Sequence, residues 1–221
     1  MKVELEKRIL AANDVLAAEN RALFSEVGVF VVDLMASPGA GKTSTILATI
    51  AALRGRYSIA VIEGDIASKV DAEKVRAHDI PAVQINTGGA CHLESAMVQR
   101  AVATLDLEAL DLIIIENVGN LVCPSDFDLG EHAKVMILSV PEGHDKPLKY
   151  PNIFQVSEAV ILNKYDTLGV FDFDEAEFRS VVASLNPHAP IFPLSATKGD
   201  GVQAWAEWLA ERIESARGDA A

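Results

Sequence analysis

Only two cysteines, Cys91 and Cys123, occur in the 221 residues, far too few for a fold stapled by disulfides. Basic residues are scarce too: 19 Lys and Arg stand against 32 Asp and Glu, a formal net charge of -13. The mean field therefore repels phosphate backbones and anionic head groups, so neither nucleic acid nor a membrane surface is an expected partner. Long apolar runs are missing. Met1 to Arg8 mixes Glu4, Glu6, Lys7 and Arg8 with isolated apolar positions and forms neither a signal-peptide core nor a membrane span. The expected location is the cytoplasm.

What is present is the balance of a globular protein, 50% hydrophobic and 23% charged. Seven short apolar runs recur: Val29 to Met35, Ser58 to Glu63, Ala82 to Asn86, Leu112 to Glu116, Val135 to Val140, Ala159 to Asn163 and Ile191 to Leu194. Rich in Val and Ile and without strict alternation, they predict strands buried on both faces of a mostly parallel sheet. Thr43 to Arg54, Leu93 to Leu105, Asp174 to Leu185 and Val202 to Ala216 have helical character between them. The expected fold is α/β, a three-layer, mostly parallel doubly wound sheet with helices on both faces. Ahead of it, Leu5, Ile9, Ala12, Leu16 and Leu23 recur at near-helical spacing. Residues 1–27 are therefore expected to be a helical extension packed on a domain spanning residues 28–217.

Ala36-Ser37-Pro38-Gly39-Ala40-Gly41-Lys42-Thr43 joins the first strand to a helix, the context a phosphate-binding loop requires. The loop from Pro38 through Ser44, with the backbone N–H groups of Gly39 to Ser44 and the helix N-terminus as donors, would cradle a polyphosphate. Lys42 would reach its β and γ phosphates and Thr43 would ligate Mg²⁺. Asp65 and Glu116, acids at strand ends, are the further candidates for the Mg²⁺ shell. Ala36 stands where the strict motif has Gly.

Asn163-Lys164-Tyr165-Asp166 follows another buried run. One carboxylate can accept both the N1–H and the exocyclic amino group of guanine, and Asp166 is that candidate. Asn163 would brace the loop and Lys164 would cover the ring face. Ser195-Ala196 is the expected last base-contacting loop, with Thr197 where lysine is commoner. The nucleotide expected is GTP. In Glu116-Asn117-Val118-Gly119-Asn120, Gly119 is the expected γ-phosphate sensor, and Asn120 occupies the place of the glutamine that positions water in fast GTPases. Intrinsic hydrolysis should be slow.

Cys91-His92 and Cys123 offer thiolate and imidazole, donors that suit Zn²⁺ and Ni²⁺. The spacing matches no structural zinc finger, and two small buried thiols beside a capping histidine is an equal reading of the same residues. Cys123 lies four residues after Gly119, so an ion held there would be coupled mechanically to the phosphate sensor. Three ligands leave a tetrahedral shell incomplete, which suggests a site shared across a two-fold axis. His78, His132, His144 and His188 have no second ligand nearby in sequence and are expected to be solvated, with His144 in the loop from Pro141 to Pro151.

Taken together, these stretches resemble the hydrogenase nickel-incorporation GTPases of the HypB family, within the SIMIBI-type P-loop GTPases. The resemblance spans nearly the whole chain. It is most specific at Ser37 to Thr43, Ile62 to Asp65, Gln84 to Leu93, Ile115 to Pro124 and Asp145 to Pro151. It implies a metallochaperone that hydrolyses GTP to GDP and helps load nickel into [NiFe]-hydrogenase. It further implies a nucleotide-dependent homodimer, a HypA-type zinc-binding accessory partner and the hydrogenase large subunit precursor as client. It makes Cys91, His92 and Cys123 a nickel or zinc site at the dimer interface, with Lys146 and Lys149 in a loop nearby. The alternatives are a urease-type nickel accessory GTPase and a non-catalytic nickel store. Residues 1–35 hold neither Cys nor His, so the tight amino-terminal nickel site of many family members is not expected.

Overall fold

Strands whose two faces both carry Val, Ile and Leu can only be satisfied in the middle of a layered structure, and the sheet is built that way. In the computed structural model, which describes residues 2–65 and 80–219, the elements follow in order. They are α1 (Lys2–Val27), β1 (Phe30–Ala36), α2 (Lys42–Leu53), β2 (Ile59–Asp65), β3 (Ala82–Asn86), α3 (Ser95–Val102) and β4 (Leu112–Glu116). There follow β5 (Ala133–Ser139), α4 (Lys146–Lys149), α5 (Pro151–Gln155), β6 (Ala159–Asn163), α6 (Glu175–Leu185), β7 (Ile191–Pro193) and α7 (Val202–Asp219). The seven strands form one sheet, ordered β3-β2-β4-β1-β5-β6-β7, and every pairing is parallel. All seven apolar runs are strands, displaced at most two residues from their expected ends.

β1, β4 and β6 are buried along their whole length. One face of the sheet packs on α2 and α7 through Ile46, Ile50, Leu53, Trp205, Leu209 and Ile213. The other packs on α1 and α3 near β2 and β4, and on α5 and α6 near β5 and β6. At roughly 1.5–3 kcal/mol for each fully buried aliphatic or aromatic side chain, these two interfaces are the main favourable term in folding.

α1 differs from its expectation in which face it buries. Ala12 is exposed and Leu23 is 38% exposed, while Asn13, Ala17, Asn20 and Phe24 form the buried stripe. The polar members are there to satisfy backbone. Asn13 Oδ1 accepts from Ser95 N at 2.9 Å, capping α3 from another helix, and Asn20 Nδ2 donates to Ser95 O and Leu129 O at 3.0 Å each. Periodicity of apolar residues could not reveal a helix docked through asparagines.

The stretch expected as a loop from Pro141 to Pro151 holds the short helix α4 and the first residue of α5. Pro147 and Pro151 sit in the first turns, where their missing N–H groups have no intrahelical partner to lose. His78 lies outside the described residues. His132 is not solvated: its Nδ1 accepts from Val31 N at 3.0 Å and its ring stacks on Phe30 at 5.3 Å. His188 is exposed as expected, and His144 Nδ1 accepts from Asp174 N at 3.1 Å.

Candidate functional site

Because every strand runs the same way, the loops after β1, β3, β4, β5 and β6 open on one rim of the sheet, where ligands of such folds bind. The turn from β1 into α2 carries Pro38, Gly39, Ala40 and Gly41, with Lys42, Thr43 and Ser44 opening the helix. Gly41 caps α2 with φ 98°, and a Cβ there would lie 2.4 Å from Asn163 Nδ2, so no other residue fits. That contact is functional in form. Asn163 Nδ2 donates to Ala40 O at 2.9 Å, and its Oδ1 accepts from Lys164 N at 2.7 Å and Ala196 N at 3.2 Å. One buried side chain thus ties the phosphate loop to both candidate base-reading loops.

Lys164 adopts a left-handed conformation, φ 54°, and donates from Nζ to Gly39 O at 2.8 Å. Asp166 lies 3.1 Å from Lys198 Nζ, and Ser195 and that ammonium hold its carboxyl below the usual carboxylate range. Sequence reasoning missed Lys198 as the counter-ion of the base-reading acid. It also missed Glu142, which hydrogen-bonds the Ser37 hydroxyl and accepts from Ser139 N and Oγ at 2.7 Å each, joining the start of the phosphate loop to the end of β5.

Thr43 Oγ1 donates to Glu116 Oε1 at 3.0 Å, so two of the three candidate Mg²⁺ ligands converge at the N-terminus of α2. Oxygen donors at a phosphate-binding helix start are the set that Mg²⁺ accepts. Asp65 closes β2, and its side chain lies outside the described atoms. Gly119 passes so close to the phosphate loop that a Cβ would stand 3.0 Å from Pro38 N and Cγ. Asn120 sends its side chain elsewhere, donating from Nδ2 to Cys91 O at 3.1 Å and accepting from Val122 N at 2.9 Å.

The loops after β3 and β4 bring the remaining candidates together. Cys91 Sγ is 3.2 Å from Cys123 Sγ and 3.7 Å from His92 Nδ1, and the three ligand atoms lie within 4.8 Å of one another. Among the described residues no other His, Cys, Asp or Glu group gathers in this way. A tetrahedral ion with bonds of about 2.3 Å spreads two sulfurs to about 3.7 Å, so the pair would open by about half an ångström to take one. The His92 ring stacks on Phe127 at 3.8 Å, and burial lowers its pKa, which favours the neutral form that binds metal. The thiol–thiol hydrogen bond between Cys91 and Cys123, aided by burial, raises the pKa of Cys123.

Beneath this cluster sits a buried polar network. Asp33 in β1 is fully buried and faces Lys134 in β5, its register partner. Asn117 Nδ2 donates to both Asp33 oxygens at 3.1 and 3.0 Å, while its Oδ1 accepts from Val118 N at 2.9 Å and Leu93 N at 3.2 Å. Lys134 Nζ reaches Asp33 Oδ2 at 3.4 Å, Glu131 Oε1 at 2.8 Å and Phe127 O at 2.8 Å. Burial pushes Asp33 up to about 6 against the pull of Lys134. Burial would lower Lys134, but Asp33 and Glu131 outweigh it and raise the ammonium's pKa. The signal was in the sequence: Asp33 and Lys134 are lone charges inside apolar strands.

With this geometry in hand, comparison with known proteins is informative. The family described as CobW/HypB/UreG, nucleotide-binding domain, matches residues 30–193. The hydrogenase maturation factor HypB of Azotobacter vinelandii is 49% identical over 207 residues, 94% of this chain and 68% of the relative. The hydrogenase/urease maturation factor HypB of Helicobacter pylori is 41% identical over 214 residues, 95% of this chain and 88% of the relative. The crystal structure of HypB from Helicobacter pylori in complex with nickel superimposes with a TM-score of 0.88 at 39% identity, covering 92% of this chain and 96% of that one. The loops that hold the phosphate, base and thiol candidates thus sit on a P-loop nucleotide-hydrolase fold, and the chain belongs to the HypB family of nucleotide-binding proteins.

Proposed function

We propose that the protein is a GTP-hydrolysing metallochaperone that helps insert nickel into [NiFe]-hydrogenase during maturation. The observation that carries this reading is the continuity between the two halves of the site. Gly119, packed on Pro38 of the phosphate loop, and Cys123, 3.2 Å from Cys91, lie on one short segment after β4. The names of the relatives and the nickel complex support the choice of cargo and client.

In this reading the backbone N–H groups from Gly39 to Ser44 hold the β and γ phosphates and Lys42 neutralises them, while Asp166 accepts from the two guanine donors. Lys198 must share that carboxylate with the base. Thr43 and Glu116, with Asp65, would hold Mg²⁺, which neutralises charge developing on the transferred phosphoryl group. Asn120, already bonded to Cys91 O, is not aimed at an attacking water, and hydrolysis without a partner is slow. Cys91, His92 and Cys123 hold Ni²⁺ or Zn²⁺, and the missing fourth ligand comes from a second copy in a GTP-dependent dimer. The exposed Val122 and Leu148, at 52% and 61%, are apolar surface for that contact. A HypA-type zinc protein and the hydrogenase large subunit precursor are the further partners, in the cytoplasm; among the described residues no helix is long and apolar enough to cross a membrane. Urease is the second reading for the client, because the Helicobacter pylori relative is a maturation factor for both enzymes.

The test pairs turnover with metal binding. Lys42→Ala should lower GTP hydrolysis about 100-fold or more and leave Ni²⁺ binding in place. Cys91→Ala should remove the thiolate-to-nickel absorption and leave the guanine preference intact. Hydrolysis at the original rate in Lys42→Ala would overturn the enzymatic assignment.

A further inference from the structure

The segment between the phosphate sensor and Cys123 is held in two different ways. At its base it is fixed in the core: Asn117 is locked by both Asp33 oxygens and also holds Leu93, one residue past His92. Lys134 Nζ fixes the far side through Phe127 O at 2.8 Å and Pro124 O at 3.4 Å. Between these anchors, among the described residues, the gap is spanned by the Cys91–Cys123 thiol contact and by the hydrogen bonds of Asn120. Its N–H donates to Ala36 O at 2.8 Å, the last residue of β1 before the phosphate loop. Its Nδ2 donates to the carbonyl of Cys91 itself, and its Oδ1 accepts from Val122 N, the residue before Cys123. One side chain therefore touches both cysteine-bearing loops while its own backbone is pinned to the strand that feeds the phosphates.

We infer that Asn120 is the positioning residue that sets the Cys91–Cys123 spacing according to the nucleotide bound. The inference rests on the reading of the chain as a nickel-binding GTPase and adds the group that links its two sites. Asn120 ligates nothing. A shift of the 119–120 backbone toward or away from Pro38 moves the Asn120 amide, and with it the Cys91 carbonyl and the Val122 N–H, in one displacement. Asp33, Asn117 and Lys134 keep the outer ends of both loops stationary, so the displacement appears as a change in sulfur separation. Two thiols 3.2 Å apart, which would open by about half an ångström around a tetrahedral ion and keep roughly that spacing around a square-planar one, are sensitive to such a change.

The experiment measures Ni²⁺ affinity by thiolate-to-nickel absorption in the full chain, with GDP and with a non-hydrolysable GTP analogue. The original protein should show affinities that differ by about 5-fold or more between the two nucleotides, within the usual range of coupling between sites. Asn120→Ala should still bind Ni²⁺ through all three ligands, with the difference reduced to less than about 2-fold. Asn120→Asp keeps the acceptor for Val122 N–H and loses the donor to Cys91 O, so it should also lose the difference; it serves if the alanine variant folds poorly. A residue that merely supports the loop would change both affinities by the same factor. Retention of the original ratio in both variants, or a ratio of one in the original protein, would overturn the inference. Failure of the chain to bind Ni²⁺ or to hydrolyse GTP at all would instead sink the functional reading beneath it.

Discussion

At the scale of single residues, the buried pair of Asp33 and Lys134 is where charge has the largest consequence for stability. Asp33 sits near pKa 6 in the folded chain against an ordinary value of 3.8, so the folded state holds a proton that the unfolded state has lost across that interval. Its contribution is fully present below about pH 4 and is lost as pH rises through 6. Asp33→Asn should remove that slope from urea-unfolding free energies measured between pH 4 and 7, and an unchanged slope would show that another group carries it. Above pH 7 the variant leaves Lys134 with Glu131 alone, and a net loss of about 1–3 kcal/mol is expected, below the full cost of an isolated buried charge. The turns that carry the proposed nucleotide residues Gly41, Lys42, Thr43, Asn163 and Asp166 were legible one by one at the ends of β1 and β6, because local sequence sets local backbone. Asn120 was legible only as a departure from a pattern. What its amide does instead depends on Cys91 O, 29 residues away in sequence, which no motif encodes.

At the scale of elements, the strands were readable and the faces of α1 were not. Strand positions follow from runs of Val and Ile that have nowhere to go but a buried sheet, and the seven runs became the seven strands. The docking of α1 is decided by which backbone groups elsewhere lack a partner, and those belong to Ser95 and Leu129. Asn20→Ala should therefore destabilise the protein more than its small change in volume suggests. The expected cost is about 1–3 kcal/mol, a fall in melting temperature of about 3–10 °C for a chain of this size, measured by calorimetry. A fall below about 1 °C would mean that water replaces the amide at both carbonyls. The Cys91 and Cys123 loops are likewise an element-level result. Two loops from β3 and β4, the strands that flank β2, meet on one rim, although sequence spacing alone left a metal site and a pair of inert thiols equally open.

For the whole molecule, net charge is the governing quantity. A chain of formal charge -13 repels its own copy, so any dimer forms against that repulsion. Raising ionic strength from about 0.01 M to about 0.15 M shrinks the screening length from about 30 to about 8 Å and should tighten the proposed GTP-dependent dimer. Sedimentation or light scattering across that series reads the effect directly. An association weakened by salt would place cross-subunit ion pairs, not the exposed apolar side chains of Val122 and Leu148, at the centre of the contact.

The central strand also constrains how the chain is made. β1, which ends where the phosphate loop begins, has both its neighbours far downstream, at residues 112–116 and 133–139. On a ribosome adding roughly 5–20 residues per second, the stretch from β1 to the end of β5 takes roughly 5–20 s to appear. Until residue 116 has emerged the glycine-rich turn has no sheet to stand on. The nascent protein is therefore blind to nucleotide until more than half of it has been synthesised, and a chaperone that shields early hydrophobic strands would act before any guanine could help it fold.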